Sequence, residues 1–389
     1  MPMASSSSSS SFSSSSSVAV LFAVLFLVCP YAAMSAAGAG GSSSCYKRMF
    51  SFGDSFNDVG NFVTFNPTIG TALPYGVTFF HQPTGRFSDG RLVVDFIAEA
   101  LRLPLLPAYL RGKTAEDFRQ GANFAVAGAT ALPQSFFRDM GLVPSIIPPY
   151  SLDVQLEWFN DVLHLLASTE QGILERKDVM ENSLFLMGEV GLNDYNHPFT
   201  QNRSLTTVKP LVPKVIAKIE HAVKALISLG AKNIVVPGNV PMGCMPRFLA
   251  MFQSKNPGDY DQFGCLKWLN DFAKHHNREL KRILCQIPHD PTVKIMYADY
   301  YGAIREITTN PLKHGFSEGE ALIACCGNGS PYNSGPRISC NATSVLCPDL
   351  SKSISWDGLH YTEAANHFVA HGMLDGPYTS PSILSKCRS

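Results

Sequence analysis

The chain has 389 residues, 45% of them hydrophobic and 16% charged, a composition that excludes a wholly disordered protein and suffices for a large core. Lys plus Arg and Asp plus Glu both number 31, so the formal net charge is zero. Because no basic excess is available to neutralise phosphates, the composition argues against a dedicated nucleic-acid binder, and we expect no nucleic-acid partner.

The N-terminal segment has the pattern of a secretory signal peptide. Residues 5–17 are nearly all serine, residues 18–29 form an apolar run, and small residues follow. We predict a signal peptide over residues 1–36, with an approximate boundary, and no stable membrane span after its cleavage. An uncleaved anchor is the alternative, because no Lys or Arg precedes the apolar run and residues 18–34 approach the shortest membrane-spanning length.

Strands and helices alternate along the rest of the chain. Continuous apolar runs of this kind, separated by long helices, are typical of a parallel sheet that is covered on both faces. We therefore predict one α/β domain over residues 45–389, with ligands bound at the carboxyl ends of its strands. The predicted strands are 49–52, 183–188, 233–237 and 293–298, and the predicted helices are 92–101, 153–166, 213–229, 268–284 and 362–372.

Nine cysteines follow the predicted leader and indicate an oxidising compartment. Nine is an odd number, so at least one cysteine stays free or pairs between chains. Cys325, Cys326, Cys340 and Cys347 lie in a stretch rich in Gly, Ser, Asn and Pro, where disulfides would restrain a loop. A zinc site is the less favoured alternative, because the spacing is not that of paired C-x-x-C motifs, and we predict no metal.

Three N-glycosylation sequons also fit secretion, and they begin at Asn202, Asn328 and Asn341. Single sequons arise by chance, but together with the leader and the cysteines they are consistent. We therefore expect the protein to be secreted or to lie in the lumen of the endomembrane system.

Four short segments of the chain are candidates for chemistry. Ser55 follows the first predicted strand, where a strand-to-helix turn would expose its hydroxyl and a helix N-terminus would offer N–H groups, although the segment equally fits an ordinary helix cap. Asp357 precedes His360 by three residues, so its carboxylate can fold back onto the imidazole, although such spacing is common on surfaces. Asn193 could direct its amide at an oxyanion, or simply form a turn. Gly128 could lend its N–H to substrate, or only allow tight packing.

Together, in this order, the four segments resemble the plant GDSL esterase/lipase family of the SGNH hydrolase superfamily. The motifs are Phe-Gly-Asp-Ser-x-x-Asp-x-Gly-Asn at 52–61, Asn-Phe-Ala-Val-Ala-Gly-Ala-Thr at 123–130, Gly-x-Asn-Asp at 191–194 and Trp-Asp-Gly-x-His at 356–360. The resemblance extends over about residues 47–387, with a minor departure at Phe62, where many relatives have a second Asn. It implies a three-layer αβα fold with a central parallel sheet, similar to the flavodoxin arrangement.

The resemblance also implies a role for each candidate residue. Ser55 would be the nucleophile, His360 the general base and then acid, and Asp357 the residue that orients His360. The backbone N–H groups of Ser55 and Gly128 and the amide of Asn193 would form the oxyanion hole. Water would release the acyl group from Ser55, with no metal or organic cofactor.

The substrate expected from this resemblance is an ester of a small molecule or a polysaccharide. Short-acyl (acetyl), small-metabolite and cell-wall carbohydrate esters are favoured over long-chain lipids. Three alternatives stay open, namely a lipid acyl hydrolase, an acyltransferase that uses the same triad, and a non-catalytic carbohydrate-binding protein.

Overall fold

The apolar segments predicted as strands lie side by side in one central sheet. This computed structural model describes residues 45–67, 70–143, 147–168, 172–329 and 331–387, which belong to one compact unit. Their strands are β1 (Arg48–Ser51), β2 (Gly121–Asn123), β3 (Ser183–Leu186), β4 (Asn233–Pro237), β5 (Lys294–Ala298), β6 (Cys326–Gly327), β7 (Val345–Leu346) and β8 (Thr379–Ser380). The predicted signal peptide, residues 1–36, lies outside the described residues.

The central sheet has the strand order β2-β1-β3-β4-β5-β8, and β6 and β7 form a separate antiparallel pair. Strands β1 to β5 run parallel, whereas β8 pairs antiparallel with β5 at one edge. The order β2-β1-β3-β4-β5 is that of the flavodoxin-like doubly wound sheet. The predicted α/β fold with a central parallel sheet is therefore confirmed, with one antiparallel strand added at the edge.

Helices cover the sheet on both faces because the crossovers run in two directions. They are α1 (Phe62–Phe65), α2 (Val93–Ala100), α3 (Gln134–Asp139), α4 (Leu152–Leu166), α5 (Gly172–Glu181), α6 (Leu192–Thr200), α7 (Leu205–Val208), α8 (Val212–Leu229), α9 (Pro246–Met251), α10 (Lys267–Leu284), α11 (Tyr300–Thr309) and α12 (Glu363–Leu374). Right-handed crossovers that move in opposite directions across a sheet place their helices on opposite faces. Accordingly, α2, α11 and α12 pack together, as do α4, α5, α8 and α10. No helix within the described ranges is both long and apolar enough to cross a membrane.

The segment after Ser55 differs from the prediction. The N–H groups of Asn57 and Asp58 both donate to the carbonyl oxygen of Asp54, which closes a single turn, and the next helix, α1, begins only at Phe62. The expected helix N-terminus at Ser55 is therefore wrong. The physical reason lies in Asp58, whose carboxylate accepts the N–H groups of Gly60 at 2.7 Å and Phe62 at 3.0 Å and so turns the chain away from a helical path.

A cluster of buried phenylalanines fixes the strand that leads to Ser55. Phe50 on β1 packs against Phe124, Phe159 and Phe185, with ring centroids 5.1–6.4 Å apart. Each fully buried aromatic side chain stabilises the fold by about 1.5–3 kcal/mol, and each aromatic pair adds roughly 0.5–1.5 kcal/mol. The cluster joins β1 to β3 and α4, so the start of the Ser55 loop is held rigidly.

Eight cysteines form four disulfides, and Cys285 is free and exposed. The cysteine-rich stretch predicted as a disulfide loop contains two of the bonds, so that prediction is confirmed, as is the unpaired ninth cysteine. The four bonds are Cys45–Cys387, Cys244–Cys265, Cys325–Cys347 and Cys326–Cys340.

The buried histidine on α10 makes stability depend on pH. His276 is 1% exposed and lies 2.7 Å from the hydroxyl of Tyr195, and burial lowers its pKa to about 3. Between its unfolded pKa of about 6.5 and that value, the unfolded chain binds a proton that the folded chain does not, so stability is lost as pH falls. From about pH 7 to about pH 5, we expect this group to remove about 2 kcal/mol of stability.

Urea unfolding of the parent and of His276→Gln measures this effect. Between about pH 7 and about pH 5, the free energy of unfolding of the variant should fall by about 2 kcal/mol less than that of the parent. Above about pH 7 the two proteins should change in parallel, because the histidine is neutral in both states there. Parallel behaviour over the whole interval would show that burial does not lower the pKa of His276.

Candidate active site

Three of the candidate residues lie in the segments that leave three neighbouring strands, two of them in loops and Asn193 at the start of α6. Gly128 follows β2, Ser55 follows β1 and Asn193 follows β3, and these strands are adjacent in the order β2-β1-β3. Because the carboxyl ends of parallel strands lie at the same edge, the three segments meet there. The direction of the crossovers also reverses between β1 and β3, which is where doubly wound sheets form their ligand crevice.

Ser55, His360 and Asp357 form a continuous hydrogen-bonded chain. The Oγ of Ser55 lies 2.8 Å from Nε2 of His360, and Nδ1 of His360 lies 2.7 Å from Oδ2 of Asp357. All three side chains are buried. Burial alone would raise the pKa of Asp357, but the charge and hydrogen bonds of His360 outweigh it and lower that pKa below its usual value. The carboxylate is therefore ionised and ready to stabilise an imidazolium.

A tight turn aims His360 at Ser55. The N–H of Trp356 donates to the carbonyl oxygen of His360 at 2.8 Å, and Oδ1 of Asp357 accepts the N–H of His360 at 2.9 Å. The same turn is paired with the disulfide loop, because the N–H of Cys326 donates to the carbonyl oxygen of Trp356 at 2.7 Å. The loop bonded by Cys326–Cys340 therefore supports the backbone that carries Asp357 and His360.

Tyr75 is a further partner of the carboxylate that sequence reasoning missed. Its hydroxyl donates to Oδ2 of Asp357 at 2.9 Å. Burial and the neighbouring charge of Asp357 raise the pKa of Tyr75 well above its usual value, so the hydroxyl keeps its proton and remains a donor. The two residues are far apart along the chain, and nothing in the local sequence around Tyr75 indicates this contact.

The loop that carries Ser55 is held from two sides. Gln155 on α4 accepts the N–H of Gly53 at 2.8 Å and donates to its carbonyl oxygen at 2.9 Å. Gly53 itself has φ +119°, and a Cβ atom there would lie 2.7 Å from the carbonyl oxygen of Glu189. Glycine is thus required at this position by both backbone conformation and space.

The amide of Asn193 has a fixed orientation. Its Nδ2 donates to Oδ2 of Asp54 at 2.7 Å, and its Oδ1 accepts from Asn196 at 3.4 Å. A carboxylate only accepts hydrogen bonds, so the nitrogen of Asn193 must face Asp54. An amide nitrogen has two hydrogens, and the second is available to the cavity that Asn193 lines.

Two buried carboxyl groups lie beneath this amide. Asp54 and Glu189 are hydrogen-bonded to each other, and burial raises the pKa of Asp54 to about 6 and that of Glu189 well above its usual value. A bond between two carboxyls requires one proton, and Asp54 already accepts the N–H of Phe56 at 3.0 Å and the amide of Asn193 at 2.7 Å, which places the proton on Glu189. Glu189 therefore donates to Asp54, which remains an acceptor for Asn193. Glu189 was not singled out from the sequence.

The loop of Gly128 is held by residues on both sides. Gly128 has φ +80°, and its carbonyl oxygen lies 2.9 Å from Nε2 of His197 on α6. Burial lowers the pKa of His197 to about 4, so the neutral ring donates this hydrogen bond. On the other side, Asp58 accepts the N–H of Ala127 at 2.8 Å. His197 was not singled out from the sequence, although it lies one helical turn from Asn193.

These residues open into a cavity of about 670 Å³. Apolar and polar side chains both line it, and the polar ones include Ser55, Asn193, His197 and His360. Such a combination suits a small organic ligand that is oriented by a few hydrogen bonds. The apolar lining residues include Phe62, Phe87, Val143, Ile338 and Leu359.

Replacing Asn193 by alanine removes the amide from the expected oxyanion hole. We expect Asn193→Ala to lower kcat by about a hundred- to a thousandfold with little change in KM, because the bond strengthens only as charge develops on the substrate oxygen. Steady-state kinetics on a p-nitrophenyl ester measures both constants. Asn196→Ala, which leaves Nδ2 of Asn193 bound to Asp54, is the matched control and should lower kcat much less. A raised KM with unchanged kcat would instead place Asn193 in ground-state binding.

The strand order and the motif residues that meet at its switch point fit the SGNH-hydrolase fold class, an α/β fold with a mostly parallel central sheet. The chain belongs to the family described as GDSL-like lipase/acylhydrolase, whose family model matches residues 49–373. The family resemblance seen in the motifs is therefore confirmed, and the chain is a hydrolase that acts on ester bonds.

Curated relatives resemble the chain over most of its length. A sinapine esterase of Brassica napus is 44% identical over 372 residues, which cover 93% of this chain and 94% of the relative. A GDSL esterase/lipase of Arabidopsis thaliana is 45% identical over 351 residues, covering 88% of this chain and 87% of the relative. Among solved structures, an acetylxylan esterase from Geobacillus stearothermophilus is 14% identical, covers 88% of this chain and 94% of its own, and has a TM-score of 0.38, a similarity too low to indicate a substrate.

Proposed function

We propose that this chain hydrolyses esters by covalent catalysis, with Ser55 as nucleophile, His360 as general base and acid, and Asp357 as the residue that orients His360. The observation that carries the proposal is the 2.8 Å contact between Oγ of Ser55 and Nε2 of His360, with Asp357 bound to the other ring nitrogen. That arrangement allows one proton to move from the hydroxyl to the imidazole as the hydroxyl oxygen attacks.

The first half of the reaction forms an acyl-enzyme. Nε2 of His360 takes the hydroxyl proton while Oγ of Ser55 bonds to the ester carbonyl carbon, whose oxygen becomes an oxyanion. The N–H groups of Ser55 and Gly128 and the amide of Asn193 stabilise that oxyanion. When the tetrahedral intermediate collapses, the imidazolium gives its proton to the leaving alcohol and Ser55 retains the acyl group.

The second half uses water in place of the serine hydroxyl. His360 takes a proton from water, the resulting hydroxide attacks the acyl carbon, and the collapse returns the proton to Oγ and releases the carboxylic acid. These steps use side chains and backbone groups that the described residues supply, so the proposed chemistry involves no metal or organic cofactor.

The substrate we propose is a short-acyl (acetyl) ester or an ester of a small metabolite or cell-wall carbohydrate. The cavity of about 670 Å³ supports this size range, since small-molecule sites commonly measure roughly 300–1,000 Å³. The relative named sinapine esterase supports a small-metabolite ester as one form of the substrate. Lipid acyl hydrolysis and acyl transfer to an alcohol are the competing activities, and the assay below separates them.

We further propose that the protein is secreted or lies in the endomembrane lumen, and that it is glycosylated. The four disulfides support an oxidising compartment. The side chains of Asn202, Asn328 and Asn341 are all exposed, which glycosylation requires. A mass shift of the secreted protein on treatment with an N-glycosidase tests the modification directly.

The function is tested by hydrolysis of p-nitrophenyl acetate, butyrate and laurate by the purified secreted protein, with Ser55→Ala alongside. Activity that falls with acyl-chain length and is lost in the variant supports a short-acyl serine esterase. A preference for laurate would move the activity to lipids. Acyl transfer to an added alcohol faster than to water would identify a transferase.

A further inference from the structure

One arginine lines the candidate active site without a salt bridge to any residue that the structure describes. Arg247 lies in α9 and forms part of the same cavity wall as Ser55 and His360. Its Nε is closed to solvent, and the described residues provide no hydrogen-bond partner for that atom. Burial lowers the pKa of Arg247 to about 10, which leaves the guanidinium charged at neutral pH. Arg247 as a whole is half-buried, so its guanidinium is partly removed from water, which is unfavourable unless an anion binds it.

The position of Arg247 is fixed relative to the catalytic turn. Its backbone N–H donates to the carbonyl oxygen of Gly358 at 3.0 Å, and Gly358 lies between Asp357 and His360. The charge of Asp357 acts on Arg247, but that carboxylate is already bound by His360 and by Tyr75. Arg247 is therefore next to the reacting groups while its own charge remains available.

The remainder of the cavity wall has no negative charge to offset this arginine. The described lining residues include no Asp or Glu, and they include a second arginine, Arg337, which is exposed. Residues 144–146, between the lining residues Val143 and Pro148, are uncharged by sequence. The whole chain has zero net charge, so this positive cavity is a local property of the site.

We propose that the natural substrate is an ester that also carries a carboxylate group, and that Arg247 binds this carboxylate. This inference rests on the proposed function and specifies its substrate class. A carboxylate presents two acceptor oxygens in the geometry that the planar guanidinium fork matches, and the pair is strong where water is excluded. Neutral esters and esters of cationic alcohols would both leave Arg247 without a partner, so both should react less well than an anionic ester.

Matched esters test the charge preference. The substrates are 4-acetoxybenzoate, its neutral methyl ester, and the cationic 4-acetoxyphenyltrimethylammonium, which place each charge on the alcohol side. The p-nitrophenyl monoester of adipic acid, compared with p-nitrophenyl hexanoate, places the carboxylate on the acyl side. The proteins are wild type, Arg247→Met, Arg247→Lys and, as a matched control outside the cavity, Arg278→Gln, whose arginine is exposed on α10.

We expect wild type to prefer the anionic member of at least one pair. Arg247→Met should lower the ratio of kcat/KM for the anionic to the neutral ester by roughly ten- to a hundredfold, with Arg247→Lys between the two and Arg278→Gln unchanged. When this ratio is compared between wild type and variant, the intrinsic reactivities of the two esters cancel, and so does any general loss of active protein. For wild type alone, rising salt should weaken the anionic preference, a readout that needs no variant to fold.

Binding of 4-acetamidobenzoate, an amide analogue whose carbonyl is much less reactive than that of the aryl ester, separates this inference from the proposed function. Triad-dependent hydrolysis of neutral esters without any carboxylate preference would overturn the inference and leave the function standing. Binding of the acetamidobenzoate that depends on Arg247, without hydrolysis of any ester, would support the carboxylate site and overturn the function. An equal loss on anionic and neutral esters in Arg247→Met would also overturn the inference, because Arg247 would then act on the reaction or the fold.

Discussion

Ser55→Ala is expected to lower kcat by about a million-fold. The variant lacks the oxygen that attacks the ester carbonyl. In the parent, Nε2 of His360 lies 2.8 Å from that oxygen, so in the variant the base has no side-chain nucleophile to activate. The cavity and the expected oxyanion hole remain, so the variant should still bind ester with little change in affinity. Steady-state kinetics on p-nitrophenyl acetate, with a single-turnover search for an acylated serine by mass spectrometry, measures the loss.

The fold should tolerate this substitution, since it removes one buried oxygen and its hydrogen bond to His360. Thermal unfolding close to that of the parent is therefore the control. Near-normal activity in purified Ser55→Ala, in a preparation free of host esterases, would overturn the nucleophile assignment.

Asp357→Asn is expected to lower kcat by about ten-thousand-fold through the tautomer of His360. Oδ1 of Asp357 accepts the backbone N–H groups of Leu359 at 3.1 Å and His360 at 2.9 Å, so the carbonyl oxygen of an asparagine must occupy that position. Its NH2 group then occupies the position of Oδ2, which faces Nδ1 of His360 at 2.7 Å. That NH2 donates to Nδ1, which leaves the ring proton on Nε2, where it blocks transfer from Ser55.

Tyr75→Phe is the matched control for this prediction. It removes one hydrogen bond from the same carboxylate without changing the tautomer of His360. We expect it to lower kcat by less than about a hundredfold, since a hydrogen bond to a charged group contributes roughly 1.5–3 kcal/mol. Asp357→Asn with more than a tenth of the parent kcat and an intact fold would show that Asp357 does not set the tautomer.

The fold was predictable from the sequence because the apolar patterns that mark its main strands and helices extend over many consecutive residues. Continuous apolar runs such as 183–188 and 233–237 correspond to β3 and β4, and the helix predicted at 213–229 is α8, which ends at Gly230 with φ +107°. β2 was missed because it is only Gly-Ala-Asn, which has no branched or aromatic side chain to mark it. β8 has two residues and is defined by its pairing with β5 alone.

The candidate site was predictable only where its residues occur in recurring motifs. The structure brings Ser55, Asp357 and His360 into hydrogen-bond contact, as their motifs suggested. Tyr75 and Arg247 carry no comparable signal, since each is a single residue whose importance arises from contacts across the fold. Tyr75 and Asp357 are 282 positions apart in the chain, so their contact depends on the tertiary structure and cannot be inferred from sequence spacing.

The proposed nucleophile and its base are also remote from each other in the chain, because 305 residues separate Ser55 from His360. In the reduced chain, where Cys45 and Cys387 are not yet bonded, closing a loop of that length is entropically unfavourable, and we expect it to come late relative to the local pairing of strands and helices. A folding intermediate in which β1 to β5 have paired, but the turn at 356–360 has not docked, would hold a serine with no base beside it. Such a molecule is structured yet inert, so when the reduced chain refolds from denaturant we expect the recovery of catalysis to trail the recovery of secondary structure.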